Sequence, residues 1–248
     1  MSPRPYLHLE VSLADAPQGA RVTLSEQELH HLYRVVRASD GAELEVADGR
    51  GWSASGRLTQ GEVTLSVPAA HAAAPAPRLH VAQALPKARK LDEVVRQVTE
   101  LDVDLLTAVA ADRSVVRLDA DKAEKARARW EAVARAACEQ SRRPYRPRLN
   151  GVVQLRMLLA EVVPGDAAIL VAQPEATPLP DVAPNLSAPE VVLAIGPEGG
   201  WSASELALLE ADGRVRFVGL GPTVLRTEHA AAAALAVTAA LTGRWASG

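Results

Sequence analysis

Cysteine is nearly absent from this chain of 248 residues, which contains only Cys138. A single cysteine excludes a disulfide framework and any zinc site built from cysteines, and it is typical of a protein kept in the reducing cytoplasm. The sequence also has no apolar run of transmembrane length, and Met1–Tyr6 contains no apolar segment of the signal-peptide type. We therefore expect a folded cytoplasmic protein that is neither exported nor inserted into a membrane.

Several catalytic motifs are missing as well. The chain has no His-Glu-x-x-His metal motif, no Gly-x-Ser-x-Gly nucleophile motif, no Gly-x-Gly-x-x-Gly dinucleotide fingerprint and no phosphate-binding loop. Its six histidines are scattered, and Cys138 falls on the apolar side of a predicted helix, where a packed thiol is expected. These absences disfavour a metal hydrolase or a covalent nucleophile, and we expect no bound metal.

Acidic residues slightly outnumber basic ones, and the net charge of −3 by itself argues against a nucleic-acid partner. The charge is unevenly distributed, however, because residues 78–148 contain 16 Lys and Arg against 11 Asp and Glu. The excess is greatest at Ser141–Arg148, which holds four arginines, one tyrosine and no acidic residue. Arginine binds phosphates and stacks on bases, so this segment indicates either an RNA-binding surface or a solvated loop after a helix.

The chain divides at residues 69–77, where small residues and prolines indicate a linker. Before it, short runs alternate between apolar and polar residues, which predicts strands, and the capping pair Ser25 and Glu28 begins one helix. That helix is predicted to place Leu29, Leu32, Val35 and Val36 on one face. The predicted strands are Tyr6–Leu13, Ala42–Ala47, Trp52–Leu58 and Glu62–Val67. Short strands with a single helix favour a small β-barrel.

After the linker, apolar strands alternate with helices, which predicts an α/β domain with a mostly parallel sheet covered on both faces. The capping pair Ser202 and Glu205 begins one helix, and an alanine-rich helix over Thr227–Leu241 is predicted to end before Gly243. A long helix is predicted over Asp121–Gln140. The predicted strands are Leu79–Leu85, Val103–Ala110, Ala167–Ala172, Glu190–Ile195 and Val215–Leu220.

Two loops of this second half are candidates for chemistry, because ligands of parallel sheets bind beyond the carboxyl ends of the strands. Ile195–Ser202 carries three glycines between a strand and a capped helix, where the backbone can approach a ligand closely. Gly219–His229 places Arg226 and Glu228 beside a second glycine-bounded backbone. Each loop also fits a structural interpretation, the first as a tight turn and the second as a surface ion pair.

Taken together and in this order, the motifs resemble the RsmE family, whose members are bacterial 16S ribosomal RNA uracil-N3 methyltransferases of the SPOUT superfamily. The resemblance covers nearly the whole chain. The two segments that carry it best are Gly196–Gly200, and Gly219–Gly221 followed by Leu225–Glu228. Supporting segments are Arg34–Arg37, Thr99–Leu101, Arg113–Val116 and Ala136–Ser141.

The resemblance implies a PUA-like β-barrel over residues 1–70 and a SPOUT domain over residues 78–248 whose end forms a trefoil knot. It further implies S-adenosylmethionine as cofactor, a homodimer, and 16S rRNA or the small ribosomal subunit as partner. The chain departs from the family pattern at Asp102, where many relatives have glycine, and at His229, where threonine is common. By the same resemblance, the cofactor is bound by Gly196, Pro197, Glu198, Gly199, Gly200, Leu220, Gly221, Leu225 and Pro174.

For the reaction, the weakly nucleophilic N3 of uracil must lose its proton, which requires a base or a cation that stabilises the uracil anion. We assign the cation to Arg226. Glu228 or Glu198 is the candidate base, or alternatively orients Arg226 or contacts the cofactor. RNA contacts are expected from Arg34, Arg37, Arg142, Arg143 and Arg146. The competing functions are a related methyltransferase acting on another base or on ribose 2′-O, and a non-catalytic RNA-binding assembly protein.

Overall fold

The computed structural model describes residues 4–87 and 90–245 and divides them into two compact units. The first unit contains residues 4–74 together with Arg135–Arg146, and the second contains the other described residues. The segment 135–146 thus joins the N-terminal unit although it lies far along the chain, which the sequence did not indicate. Residues 1–3 of the segment Met1–Tyr6 lie outside the described part of the chain.

The first unit is built on a six-stranded sheet. Its strands run in the order β1-β3-β4-β5-β2, with β6 paired to β4; β1 and β3 are parallel and the other pairs antiparallel. Alternate residues such as Leu44, Val46, Leu58 and Val63 fill the core, as the period of two predicts. The strands are β1 (Tyr6–His8), β2 (Arg21–Thr23), β3 (Glu43–Ala47), β4 (Trp52–Thr59), β5 (Glu62–Leu65) and β6 (Ala70–His71). The short strands β2 and β6 were not predicted, and β6 falls within the expected linker.

The predicted helix of this unit is present, but two of the residues predicted to share one apolar face are exposed. Helix α1 (Glu26–His30) begins with the expected capping box between Ser25 and Glu28. It then widens into a π-helical segment, His31–Val36, which ends at Arg37 in a left-handed conformation. The wider turn rotates the later side chains off the buried face, so Leu32 is buried whereas Val35 is 63% exposed. Val35 and Val36 therefore do not share the buried face of Leu32, contrary to the prediction of one apolar face.

The second unit alternates strands and helices as predicted. Its helices are α2 (Lys90–Glu100), α3 (Ala120–Ser141), α4 (Leu155–Met157), α5 (Leu179–Val182), α6 (Ala203–Ala211) and α7 (Thr227–Leu241); the end of α3 from Arg135 belongs to the first unit. The strands are β7 (Arg78–Ala84), β8 (Leu105–Ala110), β9 (Arg148–Gln154), β10 (Ala168–Pro178), β11 (Glu190–Ile195) and β12 (Val215–Gly219). Helix α7 ends before Gly243, whose φ of +76° suits glycine.

These six strands form one parallel sheet in the order β12-β10-β11-β7-β8-β9. Both faces are covered, since Leu79 and Val81 of β7 belong to one apolar cluster and Ala82 and Ala84 to another. The parallel, doubly covered sheet is confirmed. Strand β9 was missed because it lies at the sheet edge and is mostly half-buried, which leaves a weak hydrophobic pattern.

Asp102, where the sequence departs from the family pattern, forms an ion pair with Arg244. Asp102 adopts a φ of +70°, a left-handed conformation that favours glycine. Its carboxylate lies 2.9 Å from Nη2 of Arg244, whose side chain is fully buried and also pairs with Asp104 at 2.8 Å. Arg244 further donates to the backbone carbonyls of Pro77 and Asp102. The aspartate thus gains a buried partner that glycine would lack.

Candidate functional site

The two candidate loops emerge at the same edge of the parallel sheet. Strands β7, β11, β10 and β12 are consecutive neighbours, so their carboxyl ends lie side by side. The first glycine turn, Gly196–Gly200, follows β11, and the second, Gly219–Gly221, ends β12 and precedes α7. This common edge is where parallel sheets bind ligands.

A hydrogen bond ties the first glycine turn to the start of α7. Thr227 Oγ1 donates to the carbonyl oxygen of Gly196 at 2.9 Å and accepts from Nε2 of Gln83 at 2.9 Å. Gln83 is fully buried near the carboxyl end of β7. The two loops that the sequence singled out are therefore joined through one buried hydroxyl.

The first glycine turn leads into α6, whose predicted capping box between Ser202 and Glu205 is present. Within the turn, Pro197 is buried and Glu198 is exposed. The carbonyl oxygen of Gly199 accepts a 3.0 Å hydrogen bond from Arg113, and Glu198 accepts a 3.4 Å bond from the Lys87 backbone N–H. The backbone of the turn is thus fixed from outside, while the Glu198 carboxylate stays at the surface.

A cavity of about 460 Å³ borders the second glycine turn. Strand β10 pairs with β12 on either side of an irregularity between Ala172 and Thr177, where the chain bulges away. A Cβ on Gly219 would come within 2.8 Å of the Ala176 carbonyl oxygen, so only glycine allows this close approach. The cavity is lined by Glu175, Ala176, Pro178, Leu179, Pro180, Gly219, Leu220, Gly221, Pro222, Ala233 and Val237.

The residues predicted to bind the cofactor divide into two groups around this cavity. Leu220 and Gly221 line it, and Pro174 directly precedes the lining residue Glu175. Gly196–Gly200 and Leu225 are not among its lining residues in the described chain. The first glycine turn instead reaches the second loop through Thr227.

Arg226 and Glu228 flank Thr227 but differ sharply in environment. The side chain of Arg226 is exposed and makes no hydrogen bond or ion pair with any described residue. Glu228 has a side chain only 5% exposed, and its carboxylate lies 2.8 Å from Nζ of Lys90. The hydrogen bond from Lys90 lowers the pKa of Glu228. The alternative of an ion pair between Arg226 and Glu228 is therefore wrong, because Lys90 takes that place.

The basic segment after α3 binds its own unit rather than forming a free cationic surface. Arg142 Nη2 lies 2.7 Å from Glu45 and its guanidinium covers the ring of Tyr6 at 5.4 Å. Arg146 donates to Glu10 at 3.2 Å and to a backbone carbonyl, and Arg143 is only 7% exposed. Carboxylates distant in sequence thus face Arg142 and Arg146, while the predicted RNA contacts of these arginines stay a prediction.

Arg34 and Arg37 have the opposite character. Both are exposed at the end of the π-helical segment, and neither makes a side-chain hydrogen bond or ion pair within the described residues. The neighbouring Tyr33, Val35 and Val36 are also exposed. These five residues form a cationic and apolar surface on the first unit, which we call the Arg34 surface.

Comparison with known proteins places this geometry in a family. A family model described as an RNA methyltransferase domain matches residues 74–239, and one described as an RNA methyltransferase PUA domain matches residues 24–64. Ribosomal RNA small subunit methyltransferase E from Mycobacterium bovis is 38% identical over 92% of this chain and 89% of its own length. The chain belongs to the ribosomal RNA small subunit methyltransferase E family. This confirms the RsmE resemblance and makes the protein an RNA methyltransferase.

Solved structures of similar proteins agree with this membership. Ribosomal RNA small subunit methyltransferase E from Neisseria gonorrhoeae, bound to S-adenosylmethionine, is 25% identical over 96% of this chain and 98% of its own, with a TM-score of 0.83. A Legionella pneumophila protein in complex with the same cofactor is 30% identical over 96% of both chains, with a TM-score of 0.80. The α/β fold with a PUA domain is thus shared with proteins that bind S-adenosylmethionine.

Two residues of the site, Gln83 and Lys90, were not predicted from the sequence of this family member. Gln83 is a polar residue near the carboxyl end of a mostly apolar strand, and this was the available signal. Lys90 gave no signal, because a lysine at the beginning of a helix is ordinary. Among the described residues, no cluster of acidic, histidine or cysteine side chains could hold a metal ion. None of the described helices is long and apolar enough to cross a membrane.

Proposed function

We propose that this protein transfers the methyl group of S-adenosylmethionine to N3 of a uridine in the 16S rRNA of the small ribosomal subunit. The observation that carries the proposal is Arg226, which is exposed and has no side-chain partner among the described residues, at the point where the two glycine turns are joined in a chain of this family. The homodimer and the trefoil knot implied by the family resemblance are part of the proposal. A ribosomal substrate also implies that the enzyme works in the cytoplasm.

The site fits a cofactor of this kind. The cavity at Leu220 and Gly221 falls within the volume range of small-molecule sites and is lined mainly by apolar groups and backbone. Gly221 has a φ of +134°, which presents its peptide groups in a way that other residues rarely allow. Leu220, Gly221 and the neighbouring Pro174 would hold the cofactor here, with Leu225 of the same loop and Gly196–Gly200 of the first loop closing the site. S-adenosylmethionine supplies an activated methyl group when bound.

The remaining work falls to side chains of this chain. Arg226 offers an exposed guanidinium that stabilises the negative charge on uracil when N3 loses its proton. Lys90 holds Glu228 as a carboxylate and lowers its pKa. A carboxylate of this kind is better suited to positioning its neighbours than to acting as a general base. Glu198 has an exposed carboxylate whose one hydrogen bond among the described residues is long, and we propose that it accepts the N3 proton. Because N3 lies on the pairing edge, the uridine must be unpaired or flipped out of a helix.

The nucleotide product tests this function directly. Labelled S-adenosylmethionine is incubated with the enzyme and either small-subunit rRNA or assembled small subunits, and the digested nucleosides are identified by mass spectrometry. We expect label in 3-methyluridine. Label in a 2′-O-methyl nucleoside or in another base would replace this function by that of a related methyltransferase. Absence of both transfer and cofactor binding would favour a non-catalytic assembly protein.

We further propose that the Arg34 surface contacts the RNA backbone. Arg34 and Arg37 are exposed and have no side-chain partner in the described part of the chain, so their charges are available to phosphates. Arg142, Arg143 and Arg146 are instead engaged or buried within the first unit. The adjoining Tyr33 adds a ring on which a base can stack. Free cations beside an exposed aromatic ring are typical of surfaces that bind RNA.

Salt-dependent binding distinguishes the two groups of arginines. Replacing both Arg34 and Arg37 with alanine is expected to reduce the slope of log K against log salt concentration by roughly 1.5, because two phosphate contacts are lost. The matched variant, Arg142→Ala with Arg146→Ala, is expected to leave the slope nearly unchanged and instead lower the melting temperature. Filter binding of rRNA across a salt series, with thermal melts of each variant, measures both. A reduced slope only in the second variant would contradict the assignment.

A further inference from the structure

The hydroxyl of Thr227 is buried where three segments of the second unit meet. Gln83 Nε2 donates to it at 2.9 Å, and it donates to the Gly196 carbonyl oxygen at 2.9 Å. The direction of this chain is determined by its ends. Gly196 contributes a carbonyl that can only accept, and Gln83 Nε2 also donates to the Ala84 carbonyl, so the amide nitrogen must face Thr227.

This chain of hydrogen bonds fixes the elements that carry the proposed chemistry. Thr227 is the first residue of α7 and lies between Arg226 and Glu228 in the sequence. Gly196 is the first residue of the first glycine turn, and Gln83 is anchored in β7 in the middle of the sheet. A shift of the Thr227 hydroxyl would therefore move Arg226 relative to the first glycine turn.

Stability alone also explains this chain of hydrogen bonds poorly. Gln83 is fully buried, and its Oε1 atom has no hydrogen-bond partner among the described residues. An apolar side chain of similar size would avoid this unsatisfied acceptor and pack equally well. Residues that break such a rule in an otherwise regular core are expected at functional sites.

We infer that Thr227 and Gln83 are positioning residues for methyl transfer, which hold Arg226 and the first glycine turn in the geometry that binds the cofactor and the uracil. The inference rests on the proposed function for its reaction. The inference goes beyond the proposed function because it assigns a role to two buried side chains that are not among the residues proposed to bind the cofactor or the uracil.

The test removes the Thr227 hydroxyl with little change in shape. Thr227→Val is expected to lower kcat by about 10- to 100-fold, since small misplacements of reacting groups have effects of this size. Its affinity for S-adenosylmethionine, measured by calorimetry, is expected to fall about tenfold through displacement of the first glycine turn. Thr227→Ser, which keeps the hydroxyl, is expected to restore most of both losses.

Thr238 offers a matched control on the same helix. It is fully buried, and its Oγ1 atom has no hydrogen-bond partner in the described part of the chain. Thr238→Val therefore makes the same chemical change at another buried position of α7, and we expect wild-type kcat and cofactor affinity. Equal losses in Thr227→Val and Thr238→Val would overturn the inference, because they would reflect general damage to α7. Wild-type kcat and affinity in Thr227→Val would overturn it as well.

A second variant keeps the inference testable if Thr227→Val does not fold. Gln83→Met removes the amide donor at the first of these hydrogen bonds. The loss of kcat in this variant is expected to match that in Thr227→Val. Combining the two substitutions is expected to cost little more than either alone, since both interrupt one chain. Fully additive losses would show that the two residues act separately and would contradict the inference.

Cofactor binding also separates this inference from the proposed function. The affinity for S-adenosylmethionine does not depend on which nucleotide is methylated. If the wild-type product is not 3-methyluridine, the proposed function fails while the calorimetric comparison of Thr227→Val with Thr238→Val still decides the positioning role.

Discussion

Arg226→Ala is expected to lower the rate of methyl transfer by about 100- to 1000-fold, the range seen when a group that stabilises transition-state charge is removed. The side chain is exposed and makes no hydrogen bond or ion pair within the described structure, so its loss removes no stabilising contact. The melting temperature is therefore expected to stay at the wild-type value. Methyl transfer to small subunits under single-turnover conditions measures the chemical step separately from product release.

Two further variants sharpen this result. Arg226→Lys retains the charge but not the planar donor fork, and it is expected to recover only part of the activity. Arg216 is an exposed arginine near the start of β12, away from the carboxyl edge of the sheet, and Arg216→Ala is expected to leave turnover unchanged. Near-normal turnover of Arg226→Ala would remove this residue from the mechanism.

The largest effect on stability is expected at Arg244. Its fully buried guanidinium faces two carboxylates, Asp102 and Asp104, and several backbone carbonyls. Arg244→Met would fill the space but leave those carboxylates and carbonyls without this partner. We expect the free energy of unfolding to fall by about 3 kcal/mol, since removing one member of a buried ion pair is strongly destabilising. Urea denaturation followed by circular dichroism measures the change.

Surface and backbone controls identify the cause of that loss. Arg127 pairs with Glu124 and Glu131 on the exposed side of α3, and Arg127→Met is expected to change stability by less than about 0.5 kcal/mol. Asp102→Gly loses one carboxylate but relieves the left-handed backbone, so its cost is expected to be smaller than that of Arg244→Met. Equal stabilities of the Arg244 and Arg127 variants would show that the buried network contributes nothing.

Local features were predictable because they depend on residues close in sequence. Both capping boxes, at Ser25 and at Ser202, appear as expected, since each involves hydrogen bonds across three residues. The alanine-rich helix begins at Thr227 and ends at Leu241 as predicted. The alternation of apolar strands and helices correctly indicated a parallel sheet, because only a sheet covered on both faces needs such strands.

Predictions failed where partners distant in sequence decided the outcome. The arginines after α3 looked like a free basic surface, but Glu45 and Glu10 of the first unit neutralise Arg142 and Arg146. The alternative of a pair between Arg226 and Glu228 does not hold, because Glu228 pairs with Lys90. In each case the local sequence contained the charges but not the identity of their partners.

The sequence alone determined the main helices and most strands of the second domain, the two glycine turns and, through its motifs, the family that the chain resembles. The elements and the turns follow from short-range spacing: hydrophobic periodicity, capping residues and glycines between a strand and a helix. The family follows from the resemblance of the motifs in their order. The tertiary structure decided which charges are free and which are neutralised, and it joined the two turns through Thr227 and Gln83. The physical reason is that ion pairs and buried hydrogen bonds form between side chains that only the folded chain brings within about 3 Å of each other.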